Sequence, residues 1–358
     1  ANGYVVGNIH SDNSVGKDEW TRYTVRTNIK SKHEVRIRYW ATALTSAPAV
    51  SILVNGFLVN TGKNMLGNVI VNNAPTSSKL TRTVKLSANS GIGGNLTINS
   101  GIANQFQLNG YTLTTEGDIS NAGKFLTDDV KMNGLVFAGS TPQVINGSGI
   151  FSSTIDSLTI NNTSLQFPLS VSTSLTLATG SLGSTNGSNF TLGKSAKSVS
   201  FNITRSGGSL ALTPIYALSD VGILNVTYNT PTPTATITTG YELPPTLPIT
   251  VLIMNNIGGV ILDKPVKCGT LSLNYGILTT SNANSLTING TTSNSVVGGS
   301  SLSYINGPLT RKINVGNISY KFPVGKSAFR LFEFTSLLIS GTGSGSITAE
   351  AFDTGPYI

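Results

Sequence analysis

From about residue 94 onward the chain is a succession of short apolar–polar alternations, each closed by asparagine or glycine. Asn95-Leu-Thr-Ile-Asn99, Leu108-Asn-Gly-Tyr-Thr-Leu113, Gly117-Asp-Ile-Ser-Asn-Ala-Gly-Lys-Phe125 and Met132-Asn-Gly-Leu-Val-Phe137 follow one another in this way. A period of two puts successive side chains on opposite sides of a strand, so each segment predicts a short strand with one buried side. No stretch carries apolar residues at helical spacing, and the fold class predicted is all-β.

Two segments, 158–192 and 252–288, are copies of one pattern. Leu158-Thr-Ile-Asn-Asn162, Leu175-Thr-Leu177, Gly180-Ser-Leu182 and Phe190-Thr-Leu192 recur as Leu252-Ile-Met-Asn-Asn256, Leu271-Ser-Leu273, Gly276-Ile-Leu278 and Leu286-Thr-Ile288. The offset is 94 residues at the start and 96 from Leu175 onward. Self-similarity over such a span marks a repeat architecture. Steps of 17 or 19 residues from the Asn-Asn strand, then 15 in both copies, suit the coils of a parallel β-helix. Asn and Gly belong at its bends because both tolerate left-handed backbone. Asn162 and Asn256, at matched positions, are candidates for amides that pair from coil to coil.

The regions on either side read differently. Residues 1–90 hold both tryptophans and both histidines, and alternate in Trp20-Thr-Arg-Tyr-Thr-Val-Arg26 and Glu34-Val-Arg-Ile-Arg-Tyr-Trp40. With the turn signal Asn55-Gly56 and a strand over 80–86, this predicts a β-sandwich. Residues 91–300 form the β-helix. Residues 301–358, with Tyr320-Lys-Phe-Pro-Val-Gly325 and Phe329-Arg-Leu-Phe-Glu-Phe334, predict a small C-terminal β-domain, incomplete in this chain and capping the open end of the stack.

Composition narrows the chemistry. Charged residues make up 11% against 39% hydrophobic, which argues for a folded chain. The net charge of +8 is not gathered into a helix face, a glycine-rich phosphate loop or an RNA-recognition motif, so no nucleic-acid partner is expected. No run of ~20 apolar residues predicts a membrane span. Cys268, the single cysteine, alternates with apolar neighbours and reads as a small buried hydrophobe. His10 and His33 lie far from it, and no metal site or cofactor is expected.

The carboxylates of the coil region are Glu116, Asp118, Asp128, Asp129, Asp156, Asp220, Glu242 and Asp263. None recurs at coil spacing in both copies, so they read as solvated surface groups and the chain as no enzyme. The strongest binding candidate is the sandwich face bearing Trp20, Arg22, Arg26, Arg36, Arg38 and Trp40. Indole rings stack on sugar faces and guanidinium groups grip carboxylates or sulfates in pairs. Between Lys17 and Trp40 seven basic side chains face three acidic ones, which favours an anionic glycan.

Two resemblances extend this reading. Gly3-Tyr-Val-Val-Gly-Asn-Ile9, Asp18-Glu-Trp20 leading to Tyr23-Thr-Val25, His33-Glu-Val-Arg-Ile-Arg-Tyr39 and Ile52-Leu-Val-Asn-Gly56 resemble the jelly-roll carbohydrate-binding modules akin to family 6. Over 94–358, Gly139-Ser-Thr-Pro-Gln-Val-Ile-Asn-Gly147, Thr239-Gly-Tyr-Glu-Leu-Pro244 and Ser303-Tyr-Ile-Asn-Gly-Pro-Leu-Thr-Arg311 look like repeats of large extracellular proteins of Bacteroidetes. That likeness implies export by the type IX secretion machinery, a cell-surface location and a set of proteins that includes adhesins and gliding-motility proteins. It also implies O-glycosylation at Ser157 in Asp156-Ser157-Leu158.

The expectation is therefore a fragment of a non-enzymatic extracellular surface protein acting in adhesion or cell-surface display. Its partner would be a polysaccharide or surface glycan. The alternatives are a secreted polysaccharide-binding or polysaccharide-degrading protein, and a subunit of a surface filament or layer that contacts other surface-protein chains.

Overall fold

The computed structural model describes residues 50–54, 67–72, 82–101, 104–128, 131–152, 154–166, 170–183, 190–194, 200–218, 222–230 and 235–353. Among them the chain is all-β apart from a single 3-10 turn at Ser293–Ser295. It winds as a parallel β-solenoid whose coils each pass through up to three strand faces. In one coil these are β6 (Asn104–Gln107), β7 (Thr112–Thr115) and β8 (Ile119–Asn121). The next coil, β9 (Lys124–Leu126), β10 (Gly134–Phe137) and β11 (Gln143–Asn146), stacks strand on strand over it, all in parallel.

The middle face continues through β13 (Thr154–Gln166), β14 (Ser170–Gly183), β16 (Ser200–Arg205), β19 (Ile223–Thr230), β21 (Ile249–Asn256), β23 (Val266–Tyr275) and β26 (Val296–Gly298). Strict alternation in β16 and β19 sends every second side chain inward, as the period-two pattern requires. Register then lines these side chains up from coil to coil. Leu113, Leu135, Leu158, Leu175, Ile203, Val226, Leu252, Leu271 and Val296 form one continuous column, all buried. Each contributes about 1.5–3 kcal/mol by leaving water. Leu158, Leu175, Leu252 and Leu271, the anchors of the duplicated pattern, thus line a common tube.

Along this column the chain takes between 17 and 28 residues per coil. The expected steps of 17 and 19 are true coil steps, Leu158 onto Leu175 and Leu252 onto Leu271. The expected step of 15 is not. The residue stacked on Leu175 is Ile203, and the one stacked on Leu271 is Val296. Phe190-Thr-Leu192 and Leu286-Thr-Ile288 lie on the preceding face instead, pairing with Val171 and with Val266–Cys268. The physical reason is that the same alternation serves every face, so the pattern does not distinguish them. The duplication itself survives in three dimensions: Gly180 and Gly276, at matched positions, both turn with positive φ (69° and 87°).

On the first face, Phe106, Phe125 and Phe151 stack in three successive coils with ring centroids 5.7 and 5.9 Å apart. At the corner leading to the third face a side-chain ladder replaces apolar packing. Asn68 Oδ1 accepts from Asn95 N, Asn95 Oδ1 from Asp118 N, and Asp118 Oδ1 from Val144 N, each at 2.9 Å. A Cβ on Gly94 would stand 2.2 Å from Asn68 Oδ1, and one on Gly117 2.4 Å from Asn95 Oδ1. Glycine before each ladder residue therefore lets the rungs close.

Residues 1–49 of the expected sandwich lie outside the described residues. Of its remainder, the strands Val50–Val54 and Arg82–Leu86 pair in parallel with each other, the latter pairs with β6, and Val69–Val71 pairs in parallel with Leu96–Ile98. At the other end, β27 (Ile305–Asn306) and β28 (Leu309–Ile313) still stack in parallel on the coil before. Pairing then becomes antiparallel: β30 (Phe329–Ile339) runs against β29 (Gly316–Gly325), and β31 (Gly345–Ala349) against β28.

Candidate functional site

Over four successive coils the outward side of the middle face is an array of small uncharged polar groups. Ser157, Ser174, Asn202 and Asn225 form one column over four successive coils, and Thr159, Thr176, Thr204 and Thr227 form the column beside it. Parallel pairing without slip holds both columns in register, so like groups repeat every ~4.8 Å along the stack. Asn225 Nδ2 donates to Asn202 Oδ1 at 2.9 Å, and farther along Asn255 Nδ2 donates to Asn229 Oδ1 at 2.7 Å. Such an array presents alternating donors and acceptors with no fixed charge, which suits hydroxyl-bearing ligands and water.

Ser157 sits inside this array, half-buried on a strand between Gly134 of one coil and Ser174 of the next. Its neighbour Asp156 is occupied on both oxygens: Oδ2 accepts from Asn133 N at 2.7 Å and Oδ1 from Ser172 Oγ at 2.9 Å. The six candidate glycan-binding residues, Trp20, Arg22, Arg26, Arg36, Arg38 and Trp40, lie outside the described residues.

The two asparagines singled out as coil-to-coil partners divide. Asn162 does reach a neighbouring coil, donating from Nδ2 to Gln143 Oε1 at 2.7 Å. Asn256 instead closes its own turn, giving Nδ2 to Gly259 O and accepting from Gly258 N. The residue after a strand end decides this: a glycine two or three positions on lets the chain fold back onto the amide.

One carboxylate expected at the surface is buried. Glu242 is fully enclosed, and its Oε1 accepts from Arg205 Nη1 at 2.6 Å, Tyr228 OH at 2.8 Å and Gly240 N at 3.1 Å. Arg205 occupies the interior column between Leu177 and Tyr228, and it also donates from Nε to Gly208 O and from Nη1 to Thr238 O. The loop after β20 (Ile237–Thr238) folds its carboxylate in to meet a charge already committed to the tube. A buried cation without a partner is costly, and the pair resolves that cost. Burial and the adjacent Glu242 carboxylate push the Tyr228 phenol well above its ordinary range, so it stays a donor. The alternation Phe201-Asn-Ile203-Thr-Arg205 signals the inward arginine, since all three share one parity.

A second interior arginine, Arg311, is held by carbonyls alone. It donates to Lys321 O at 3.0 Å and Thr292 O at 2.7 Å and lies 5.1 Å from the Tyr320 ring centroid. Cys268 is buried as expected, and burial pushes its thiol up to about 12. Among the described residues no three His, Cys, Asp or Glu side chains gather as a metal would need, and no helix is long and apolar enough to cross a membrane.

These features define a β-solenoid repeat protein with, among the described residues, a largely apolar interior, one internal ion pair and an uncharged outer array over four coils. Comparison with protein-family models, curated proteins and solved structures finds no match to this chain.

Proposed function

We propose that this chain belongs to an extracellular surface protein that works without catalysis of its own, in adhesion or cell-surface display, with the coil stack as spacer. The single observation that carries the reading is the column from Leu113 to Val296, nine positions held in unbroken parallel register. Its interior is filled with packing side chains, while its middle face turns small neutral groups to solvent. Each added coil lengthens such a spacer by ~4.8 Å with no change of design. The sequence likeness to type IX-secreted proteins of Bacteroidetes supports the surface location and the export route, and with them O-glycosylation at Ser157. The Trp20 and Trp40 region supplies the glycan-binding end of the reading, with the neighbouring arginines selecting anionic sugars.

The test is attachment. Beads coated with the chain should adhere to polysaccharide-coated glass, and a glycan array should report anionic glycans lost in Trp20→Ala and Trp40→Ala. Release of reducing or unsaturated sugars by the isolated chain would overturn the non-enzymatic reading.

A second reading, a subunit of a surface filament or layer, is favoured by β30. This strand ends its sheet and exposes Leu331, Phe332 and Leu338. Open sheet edges with apolar side chains invite pairing by another chain. Sedimentation at rising concentration separates the two: a monomer throughout supports the spacer.

A further inference from the structure

We infer that Asn146 is a site of spontaneous covalent modification, at which water converts the side-chain amide to aspartate or isoaspartate. Five Asn-Gly pairs fall within the described residues: Asn109-Gly110, Asn133-Gly134, Asn146-Gly147, Asn289-Gly290 and Asn306-Gly307. Such pairs are labile because glycine has no side chain to shield its amide nitrogen. Once that nitrogen gives its proton to hydroxide, it can attack the neighbouring asparagine Cγ. The new N–Cγ bond closes a cyclic imide, the Cγ–Nδ2 bond breaks, and Nδ2 takes a proton from water and leaves as ammonia. Water then opens the ring. Opening at Cγ gives aspartate; opening at the main-chain carbon gives isoaspartate, with the backbone routed through Cγ.

The fold protects three of the pairs by hydrogen bonds. Gly110 N donates to Asn133 Oδ1 at 3.1 Å, Gly134 N to Tyr111 O at 3.2 Å and Gly290 N to Gly269 O at 3.1 Å. A nitrogen whose hydrogen is held by an acceptor gives it up less readily. The Asn109 and Asn133 amides are also tied, to Leu86 O and to Asp128 O and Lys131 O. The other two pairs differ in one respect. Ile145-Asn-Gly147 ends β11 and Ile305-Asn-Gly307 ends β27, and both glycines turn with positive φ, 113° and 122°. Neither Gly147 N nor Gly307 N donates to a backbone acceptor among the described residues. Gly307 is buried, whereas Asn146, Gly147 and Ser148 are all exposed. The attacking nitrogen is an anion, and burial disfavours it by withholding hydroxide and solvation. Sequence, turn and free nitrogen are shared; access to water is not, and it selects Asn146.

The product matters because this corner carries contacts between coils. A Cβ on Gly147 would stand 2.0 Å from Asn121 O, and that oxygen accepts from Gly149 N at 2.9 Å. Isoaspartate adds a main-chain carbon directly before Gly147, where the neighbouring coil leaves no room, so modification loosens the corner. The inference is independent of the adhesion reading, which needs no covalent change. The test incubates the full chain in mildly alkaline buffer and follows each pair by peptide mapping with electron-transfer fragmentation, which separates aspartate from isoaspartate. In the folded chain Asn146 should convert at least about tenfold faster than Asn109, Asn133, Asn289 or Asn306. In urea the five rates should converge, since the protection is structural. Any of the other four converting as fast as Asn146 in the folded chain, or the same order persisting in urea, would overturn the site. Aged chain should also unfold at lower urea than fresh chain, while Asn146→Gln, whose longer side chain closes the ring far more slowly, should hold its midpoint. An equal fall in Asn146→Gln would overturn the loosening of this corner.

Discussion

Removing the Glu242 carboxylate is the sharpest perturbation of the interior. In Glu242→Leu, Arg205 keeps Gly208 O and Thr238 O but loses its carboxylate partner, and Tyr228 OH loses its acceptor. Breaking a buried pair by deleting one partner costs about 3–5 kcal/mol, because the remaining charge stays enclosed. The structure also says how to recover it. Arg205 stands in a column between Leu177 and Tyr228, with Met254 next, so Arg205→Leu restores what the tube holds elsewhere. The double variant Arg205→Leu/Glu242→Leu should therefore regain most of the loss. A residual of about 1–3 kcal/mol belongs to the unpaired Tyr228 hydroxyl, and adding Tyr228→Phe removes it. Urea unfolding followed by circular dichroism, with slopes compared so that each transition is known to expose the same surface, supplies the free energies. A Glu242→Leu variant within about 1 kcal/mol of the parent, or a double variant no more stable than the single, would refute the reasoning.

Three further outcomes are expected. Gly276→Ala should destabilise by more than about 1 kcal/mol, since φ is +87° and the added Cβ would stand 1.7 Å from Asn256 O; urea midpoints measure it. Phe125→Ala removes the middle ring of the three-coil stack and should cost about 3–5 kcal/mol, read in the same assay. Stability should fall in alkali through Cys268. Its folded pKa of about 12 lies above the ordinary 9.0, so its contribution is complete below pH 9.0 and is lost between there and about 12. The slope is about 1.4 kcal/mol per pH unit, and Cys268→Ala should flatten that part of the profile.

Much of the tube was legible because its rule is local. Every second residue of Leu158-Thr-Ile160 or Leu224-Asn-Val226 is apolar, and parity alone puts those side chains inside. What parity does not carry is the face. Phe190 and Ile203 sit in equally good alternations, yet only Ile203 stacks on Leu175, because loop lengths between strands decide the order. The parity of Arg205 with Phe201 and Ile203 carries an inward signal, but its partner arrives 37 residues later from a loop without periodicity. The corner ladder, which sequence reasoning missed, leaves a signal in Gly67-Asn68, Gly94-Asn95 and Gly117-Asp118, spaced by 27 and 23 residues like the coils themselves.

The parallel pairing has a mechanical consequence. Tension along the stacking direction passes through every coil-to-coil interface, and a terminal coil, held by a neighbour on one side only, peels first. Each release along the middle face frees 17 to 28 residues. At ~3.3–3.6 Å per extended residue this is a lengthening of ~60–100 Å. A stack built this way lengthens in discrete steps, one coil at a time.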